Sequence, residues 1–213
     1  TYTWSLDVTT KEIKKIEHNG SWALEYDTIT GYLYSLTWGD IIDSKNTSML
    51  VKMDIENNVV DTLYVGYNTF EPSYNNLSTF DSENGIIIFD ALDSAGNDQN
   101  LYTINISNGN INSYPYLFGA MSIEYDTANI AYALVRDTLK GSNLLKVNTL
   151  TGKIDSLYLN LLEFDISYNQ KYTFDTKSNL FIFEASDSAQ TTNYTWTINV
   201  NTGEVKKYSP AGI

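Results

Sequence analysis

Short apolar segments alternate with polar turns along the whole chain, and no stretch has the 3.6-residue apolar periodicity of a helix. Four segments are almost continuously apolar: 32–36, 86–89, 130–135 and 180–183. Runs of this length, rich in β-branched and aromatic residues, predict strands covered on both faces. Each is followed by a segment in which apolar and polar positions alternate, at 50–54, 101–105, 144–148 and 194–199. This alternation predicts a second, less buried strand.

These segments belong to a unit that repeats along the chain. Each unit opens with an aromatic residue and an aspartate, and the aspartates are Asp27, Asp81, Asp126 and Asp175. They are 54, 45 and 49 residues apart, close to the roughly 40–50 residues of one β-propeller blade. Turns containing Asn or Gly, which tolerate positive φ, follow the alternating strand and lead into a last strand. Four strands per unit predict an all-β protein with the β-propeller fold.

The predicted propeller is a single domain, residues 1–213, with four complete four-stranded blades and an N-terminal half-blade. We expect the half-blade at 1–17 and the blades at approximately 21–67, 77–116, 120–159 and 170–209. The half-blade is indicated by residues 2–8, Tyr-Thr-Trp-Ser-Leu-Asp-Val, which match Tyr-Thr-Trp-Thr-Ile-Asn-Val at 194–200. The chain therefore forms a five-bladed ring or part of a larger propeller. An open strand edge at the half-blade favours self-association or complementation by strands of a partner.

Alternate units resemble each other more closely than neighbouring units do. Residues 89–95, Phe-Asp-Ala-Leu-Asp-Ser-Ala, match Phe-Glu-Ala-Ser-Asp-Ser-Ala at 183–189. Glu-Tyr-Asp-Thr likewise occurs at both 25–28 and 124–127. The sequence therefore predicts a super-repeat of two blades.

The repeated order of an aromatic–Asp pair, turn, apolar strand, alternating strand and Gly-containing turn resembles the YVTN and quinoprotein-like propellers. It is also loosely similar to five-bladed lectin propellers of the tachylectin type. The resemblance covers nearly the whole chain and implies the propeller architecture. It implies no functional residue, because the chain has neither the Trp-Asp pair of WD repeats nor the Ser-x-Asp-x-Gly-x-x-Trp box of sialidase propellers.

The charge and composition narrow the range of partners. The net charge is −13, with only 13 Lys and Arg residues, which argues against nucleic acid, whose phosphates require clustered basic residues. No 18-residue apolar run is present, so we expect no membrane insertion. Neutral polar residues and 17 tyrosines are typical of extracellular β proteins. We therefore expect a secreted or cell-surface protein with a protein or glycan ligand.

No catalytic residue is predicted from the sequence. The chain has no cysteine and a single histidine, His18, which argues against a thiolate or zinc site and against a Ser–His–Asp triad. A pair of carboxylates distant in sequence but close in space would still permit glycan chemistry. A carboxylate-dependent glycan-active enzyme therefore stays open as an alternative.

The repeated aspartates are expected to be structural, because Asp before a turn accepts backbone hydrogen bonds. The same interpretation applies to the residues that end the alternating strands: Asp7, Asp54, Asn105, Asn148 and Asn199. Two polar loops are candidates for calcium, which takes several oxygen ligands. Their candidate ligands are Asp40, Asp43, Asp93 and Asp98. Neither loop has the spacing of an EF-hand.

The longest loops are predicted to lie on one face of the propeller, where they would form a candidate ligand-binding surface. Its candidate residues are Tyr74, Tyr116, Phe118, Asp165 and Tyr168. Tyrosine beside Asp and Asn is typical of a surface that contacts protein or glycan. The alternative is that these aromatic residues fill the gaps between blades. The sequence thus favours a non-enzymatic binding or assembly module, with an enzyme or a structural subunit of a larger surface assembly as alternatives.

Overall fold

The computed structural model describes residues 2–18, 20–42, 45–67, 70–72, 77–115, 120–126, 128–137, 141–161, 164–165, 171–187 and 192–209. The secondary structure of these residues is β-strand and turn, as the apolar pattern predicts. The chain divides into two compact units, Thr1–Pro115 and Tyr116–Ile213.

The first unit contains a two-stranded N-terminal sheet and two blades. The N-terminal sheet consists of β1 (Tyr2–Leu6) and β2 (Ile13–Glu17). Blade 1 consists of β3 (Ser21–Tyr26), β4 (Leu33–Ile42), β5 (Lys45–Asp54) and β6 (Val59–Tyr67), paired in that order. Blade 2 consists of β7 (Phe70–Pro72), β8 (Ser78–Asp81), β9 (Ile86–Asp93), β10 (Gln99–Asn105) and β11 (Ile111–Pro115). Neighbouring strands are antiparallel in every sheet.

The second unit contains blades 3 and 4. Blade 3 consists of β12 (Ala120–Tyr125), β13 (Ile130–Asp137), β14 (Gly141–Asn148) and β15 (Ile154–Leu161). Blade 4 consists of β16 (Phe164–Asp165), β17 (Tyr172–Asp175), β18 (Leu180–Asp187), β19 (Asn193–Asn199) and β20 (Val205–Tyr208). The four predicted blades and the predicted half-blade are therefore all present as antiparallel sheets.

The predicted two-blade super-repeat is visible in how the first strand of each blade is built. In blades 2 and 4 two short strands lie end to end along one edge of a longer strand. In blade 2 these are β7 and β8 along β9, and in blade 4 they are β16 and β17 along β18. In blades 1 and 3 the first strand is continuous but carries a register irregularity near its start, between Ser21 and Ala23 and between Ala120 and Ser122. Alternate blades therefore share backbone detail as well as sequence.

Apolar side chains that alternate along the strands form the core of each unit. In the first unit, Trp22 of blade 1 packs edge-on against Phe70 and Phe89 of blade 2, with ring centroids 5.7 and 5.3 Å apart. In the second unit, Tyr132 of blade 3 stacks on Phe174 of blade 4 at 5.1 Å. Aromatic pairs bury large areas and add about 0.5–1.5 kcal/mol beyond that burial. These contacts hold adjacent blades face to face.

Candidate binding surface on the N-terminal sheet

The N-terminal sheet has one buried face and one exposed face because side chains alternate along a strand. β1 and β2 pair so that Trp4 lies opposite Lys15 and Leu6 opposite Ile13. These four side chains share one face, and Trp4 is 64% exposed. Tyr2 is also exposed on this face. We call the five residues Tyr2, Trp4, Leu6, Ile13 and Lys15 the N-terminal apolar face.

Lys15 orders the aromatic part of this face. Its ammonium group lies 3.5 Å from the centroid of the Tyr2 ring and 5.5 Å from that of Trp4. A lysine over an aromatic ring gains about 0.5–1 kcal/mol at an exposed site. The two rings and the lysine stem therefore form a broad apolar platform, with the charges of Lys15 and Glu17 at the Tyr2 end.

The opposite face of the N-terminal sheet anchors it to blade 1. Ile16 is buried in a cluster with Leu33, Val51 and Met53. The hydroxyl of Thr3 lies 2.7 Å from Nε2 of His18. The histidine is thus part of a hydrogen bond that ties the end of β2 back to β1. Anchoring on one side leaves the apolar face directed away from blade 1.

Blade 4 contains the same aromatic–lysine arrangement in a buried setting. Lys207 lies 3.6 Å from the centroid of the Tyr194 ring and 5.3 Å from that of Trp196, as Lys15 does over Tyr2 and Trp4. Trp196, however, is only 2% exposed. It lies in a cluster with Phe181 and Phe183 of its own blade and with residues of blade 3. The same arrangement of Tyr, Trp and Lys therefore has a buried Trp in blade 4 and an exposed Trp in the N-terminal sheet.

Two further features of the first unit are uncovered. Within the described residues, β1 pairs with β2 along one edge and with no strand along the other. On blade 1, Leu24 and Tyr26 of β3 are 42% and 52% exposed, although β3 is the first strand of its blade. An open edge and uncovered apolar side chains are features that proteins normally protect. The sequence match of residues 2–8 to 194–200 predicts the open edge, whereas nothing in the sequence marks Leu24 and Tyr26.

The candidate loop surface falls almost entirely outside the described residues. This applies to Tyr74, Tyr116, Phe118 and Tyr168. Asp165 lies on β16, where it pairs with Ser186, but its side chain is outside what the structure describes. The loop surface therefore stays a prediction.

The two calcium candidates that the structure describes are Asp93 and Asp98. The carboxylate of Asp93 accepts hydrogen bonds from the backbone N–H groups of Ala95 at 3.1 Å and Asn97 at 2.9 Å. The bond from Asn97 is the main cause that holds the pKa of Asp93 below its ordinary value. Within the described residues, no three His, Asp or Glu side chains are grouped as a metal site requires. Asp43 lies outside those residues, and Asp40 lies on β4 with its side chain undescribed.

The repeated aspartates have the structural role that the sequence predicts. Asp81 is fully buried, and its two carboxylate oxygens accept bonds from the backbone and side-chain nitrogens of Asn84 at 3.0 and 2.8 Å. Asp27, Asp126 and Asp175 accept bonds from backbone N–H groups two residues further along. The residues that end the alternating strands accept bonds from backbone N–H groups two or three residues further along: Asp7, Asp54, Asn105, Asn148 and Asn199.

One carboxylate outside these turns has an unusual environment. Glu25 lies on β3 and accepts a hydrogen bond from the hydroxyl of Ser78 on β8, so it lies between blades 1 and 2. Burial raises the pKa of Glu25 to about 7, and the bond from Ser78 opposes this shift. Sequence reasoning missed this residue, because its burial depends on a strand more than fifty positions away in the chain.

Comparison with solved structures shows that the chain has the β-propeller fold. It is similar to TolB from Acinetobacter baumannii, with a TM-score of 0.64 and 8% identity over 100% of this chain and 49% of that protein. It is also similar to an acylaminoacyl peptidase from Pyrococcus horikoshii, with a TM-score of 0.61 and 10% identity over 99% of this chain and 35% of that one. A GH74 xyloglucanase from Xanthomonas campestris gives a TM-score of 0.57 and 9% identity over 91% of this chain and 31% of that enzyme.

These similarities concern the fold alone. The chain spans about half the length of TolB and about a third of the two enzymes. No family model matches the chain. No curated protein matches it in sequence. Among the described residues there is no helix long and apolar enough to span a membrane.

Proposed function

We propose that this chain is a non-catalytic binding and assembly module that recognises another polypeptide through the N-terminal apolar face. The observation that carries the proposal is the contrast between Trp4 and Trp196. Both lie on the same strand of equivalent sheets beneath an equivalent lysine, but Trp4 is 64% exposed and Trp196 2% exposed. A tryptophan with this surrounding is a side chain that a partner can bury at large gain, as in the buried aromatic anchors of protein interfaces.

A polypeptide is favoured over a glycan because of what surrounds the aromatic rings. Leu6 and Ile13 continue the platform as aliphatic surface, and the adjoining edge of β1 offers backbone hydrogen-bonding groups. A peptide strand that pairs with this edge would bond to the backbone groups and would place apolar side chains beside the aliphatic surface. The resemblance of the repeat to tachylectin-type lectins makes a glycan the alternative ligand, which the loop surface would bind.

The test is selection of ligands from a displayed library of random 12-residue peptides, with a glycan array in parallel. Selected peptides are expected to bind the wild-type chain and to lose binding when Trp4→Ser removes the aromatic platform. The matched control is Tyr208→Ser, which removes an exposed aromatic residue from β20. Failure to select peptides, peptide binding that survives Trp4→Ser, or ligands found only on the glycan array would contradict the proposal.

We further propose that the protein acts outside the cell or on its surface. The low content of charged residues, 18%, and the abundance of Tyr, Asn, Ser and Thr support this location. Fractionation of the native source, followed by detection with an antibody against the chain, tests it. Recovery in the cytoplasmic fraction alone would contradict it.

A further inference from the structure

Blades 2 and 4 contain a strand that lies where the N-terminal sheet has its open edge. In blade 4 this strand is β18, which pairs with β19; in blade 2 it is β9, which pairs with β10. β1 matches β19 residue for residue, with Trp4 equivalent to Trp196 and Leu6 equivalent to Ile198. The two blades therefore show what a strand that pairs with the open edge of β1 would look like.

The two covering strands share a five-residue pattern. Residues 87–91 are Ile-Ile-Phe-Asp-Ala, and residues 181–185 are Phe-Ile-Phe-Glu-Ala. The central Phe lies opposite the aromatic residue of the next strand, Phe89 opposite Tyr102 and Phe183 opposite Trp196. The first, third and fifth residues of each pattern are buried. The pattern is thus apolar, Ile, Phe, acidic, Ala, with its first, third and fifth residues beside the aromatic platform on the same face of the sheet.

In blade 4 the residue that ends the pattern also accepts a hydrogen bond. The indole N–H of Trp196 donates to the backbone carbonyl of Ala185, 3.2 Å away. The alanine lies opposite Tyr194, the next residue on the same face as the tryptophan. Trp4 carries the same indole donor in the same position on β1.

We infer that the N-terminal apolar face binds a partner polypeptide that adds antiparallel to β1 as a strand with the pattern apolar–Ile–Phe–acidic–Ala. Its Phe lies opposite Trp4, its first apolar residue opposite Leu6 and its Ala opposite Tyr2. The carbonyl of the Ala accepts the indole N–H of Trp4. This inference rests on the proposed function and specifies the chemistry of the ligand at the same surface.

The probe is a synthetic peptide that copies residues 171–187, the hairpin of β17 and β18. Labelled peptide is titrated with the whole chain, and fluorescence anisotropy reports binding. We expect saturable binding that weakens at least about tenfold when the peptide carries Phe183→Asn, because loss of one buried aromatic contact removes more than 1.4 kcal/mol. A peptide with Glu184→Gln is the matched control and is expected to bind as well, since Glu184 is exposed in blade 4.

A cross-link tests the register, and the absence of cysteine from the chain makes it selective. Ser5 is equivalent to Thr197, which lies opposite Ile182. Chain with Ser5→Cys is therefore expected to form a disulfide with peptide carrying Ile182→Cys. Peptide carrying Leu180→Cys or Glu184→Cys should react much more slowly, because residues two positions along lie about 7–8 Å away, beyond disulfide reach.

The outcomes separate this inference from the proposed function. Binding and cross-linking in the expected register support both. If the 171–187 peptide does not bind, or cross-links without preference, while displayed peptides still bind through Trp4, the strand pattern is wrong and the proposed function stands. If sedimentation instead shows a dimer of the chain that Trp4→Ser dissociates, the occupant is a second copy and the inference is overturned. If no ligand binds in a way that depends on Trp4, both the inference and the proposed function are overturned.

Discussion

At the scale of single residues, carboxylates in this chain have two different roles. Asp81 and its equivalents accept hydrogen bonds from turn nitrogens and so hold the hairpins of each blade. Glu25 accepts a hydrogen bond from Ser78 and lies partly buried between two blades. A buried carboxylate with few donors favours its protonated form. Asp81 therefore stabilises a turn, whereas Glu25 makes the contact between blades 1 and 2 sensitive to pH.

The titration of Glu25 fixes the direction in which the free energy of unfolding changes with pH. The pKa of Glu25 is about 7 in the folded chain and 4.5 for an ordinary glutamate. The folded state therefore binds the proton more tightly, and its free energy of unfolding rises as the pH falls from 7 towards 4.5. Above pH 7 the buried charge destabilises the first unit.

Glu25→Gln removes this charge and is expected to raise the free energy of unfolding at pH 8 by about 1–3 kcal/mol. The variant should also show a weaker change in stability between pH 5 and pH 8 than the wild type. Urea unfolding at four pH values measures both effects, with Glu17→Gln on the exposed end of β2 as the control. Parallel pH profiles for the wild type and Glu25→Gln would show that Glu25 does not titrate in this range.

At the scale of elements, turns determine how blades fit together. Gly109 lies in the turn between β10 and β11 with φ of +71°, and a Cβ there would lie 2.6 Å from the ring of Tyr64 on β6. Gly31, between β3 and β4, has φ of +78° but its nearest neighbour would be 3.9 Å away, at Tyr26. Both positions need glycine for the backbone. Only Gly109 also needs it to bring blade 2 against blade 1.

This difference predicts unequal costs for the same substitution. Gly31→Ala is expected to lower the free energy of unfolding by about 1–2 kcal/mol, the cost of a left-handed backbone with a Cβ. Gly109→Ala should cost about 1–3 kcal/mol more, because the methyl group displaces Tyr64. Urea unfolding of the two variants measures the difference. Equal losses would mean that the Tyr64 ring turns aside without cost and does not contribute to packing between the blades.

At the scale of the whole molecule, equivalent sheets differ in what covers them. Trp196→Ala is expected to lower the free energy of unfolding by about 3–5 kcal/mol, since it empties a packed aromatic site. Trp4→Ala should lower it by less than about 1 kcal/mol, since most of the ring faces solvent. Thermal unfolding at two protein concentrations tests this pair. A large, concentration-dependent loss for Trp4→Ala would show that a second copy covers Trp4 in solution.

Much of the fold can be predicted from the sequence because the residues that form each turn and strand lie close together in the chain. The Asp and Asn residues that end strands bond to nitrogens two or three positions away, so they identify each turn without knowledge of the rest of the chain. Apolar alternation gives the strands, and the interval between aspartates gives the blades. The split first strands of blades 2 and 4 are different, because β7 and β16 are short and their pairing depends on β9 and β18.

The candidate site is likewise predicted only in part by the sequence. The match between residues 2–8 and 194–200 determines that β1 and β2 form the outer part of a blade, because local strand geometry and cross-strand pairs depend on that sequence alone. Whether Trp4 or Trp196 is buried depends on strands that come from elsewhere in the chain. β18 and blade 3 cover Trp196, and within the described residues no strand covers Trp4. Sequence therefore determines the strand and its two faces, and tertiary structure decides which face remains exposed, because burial depends on strands distant in the chain.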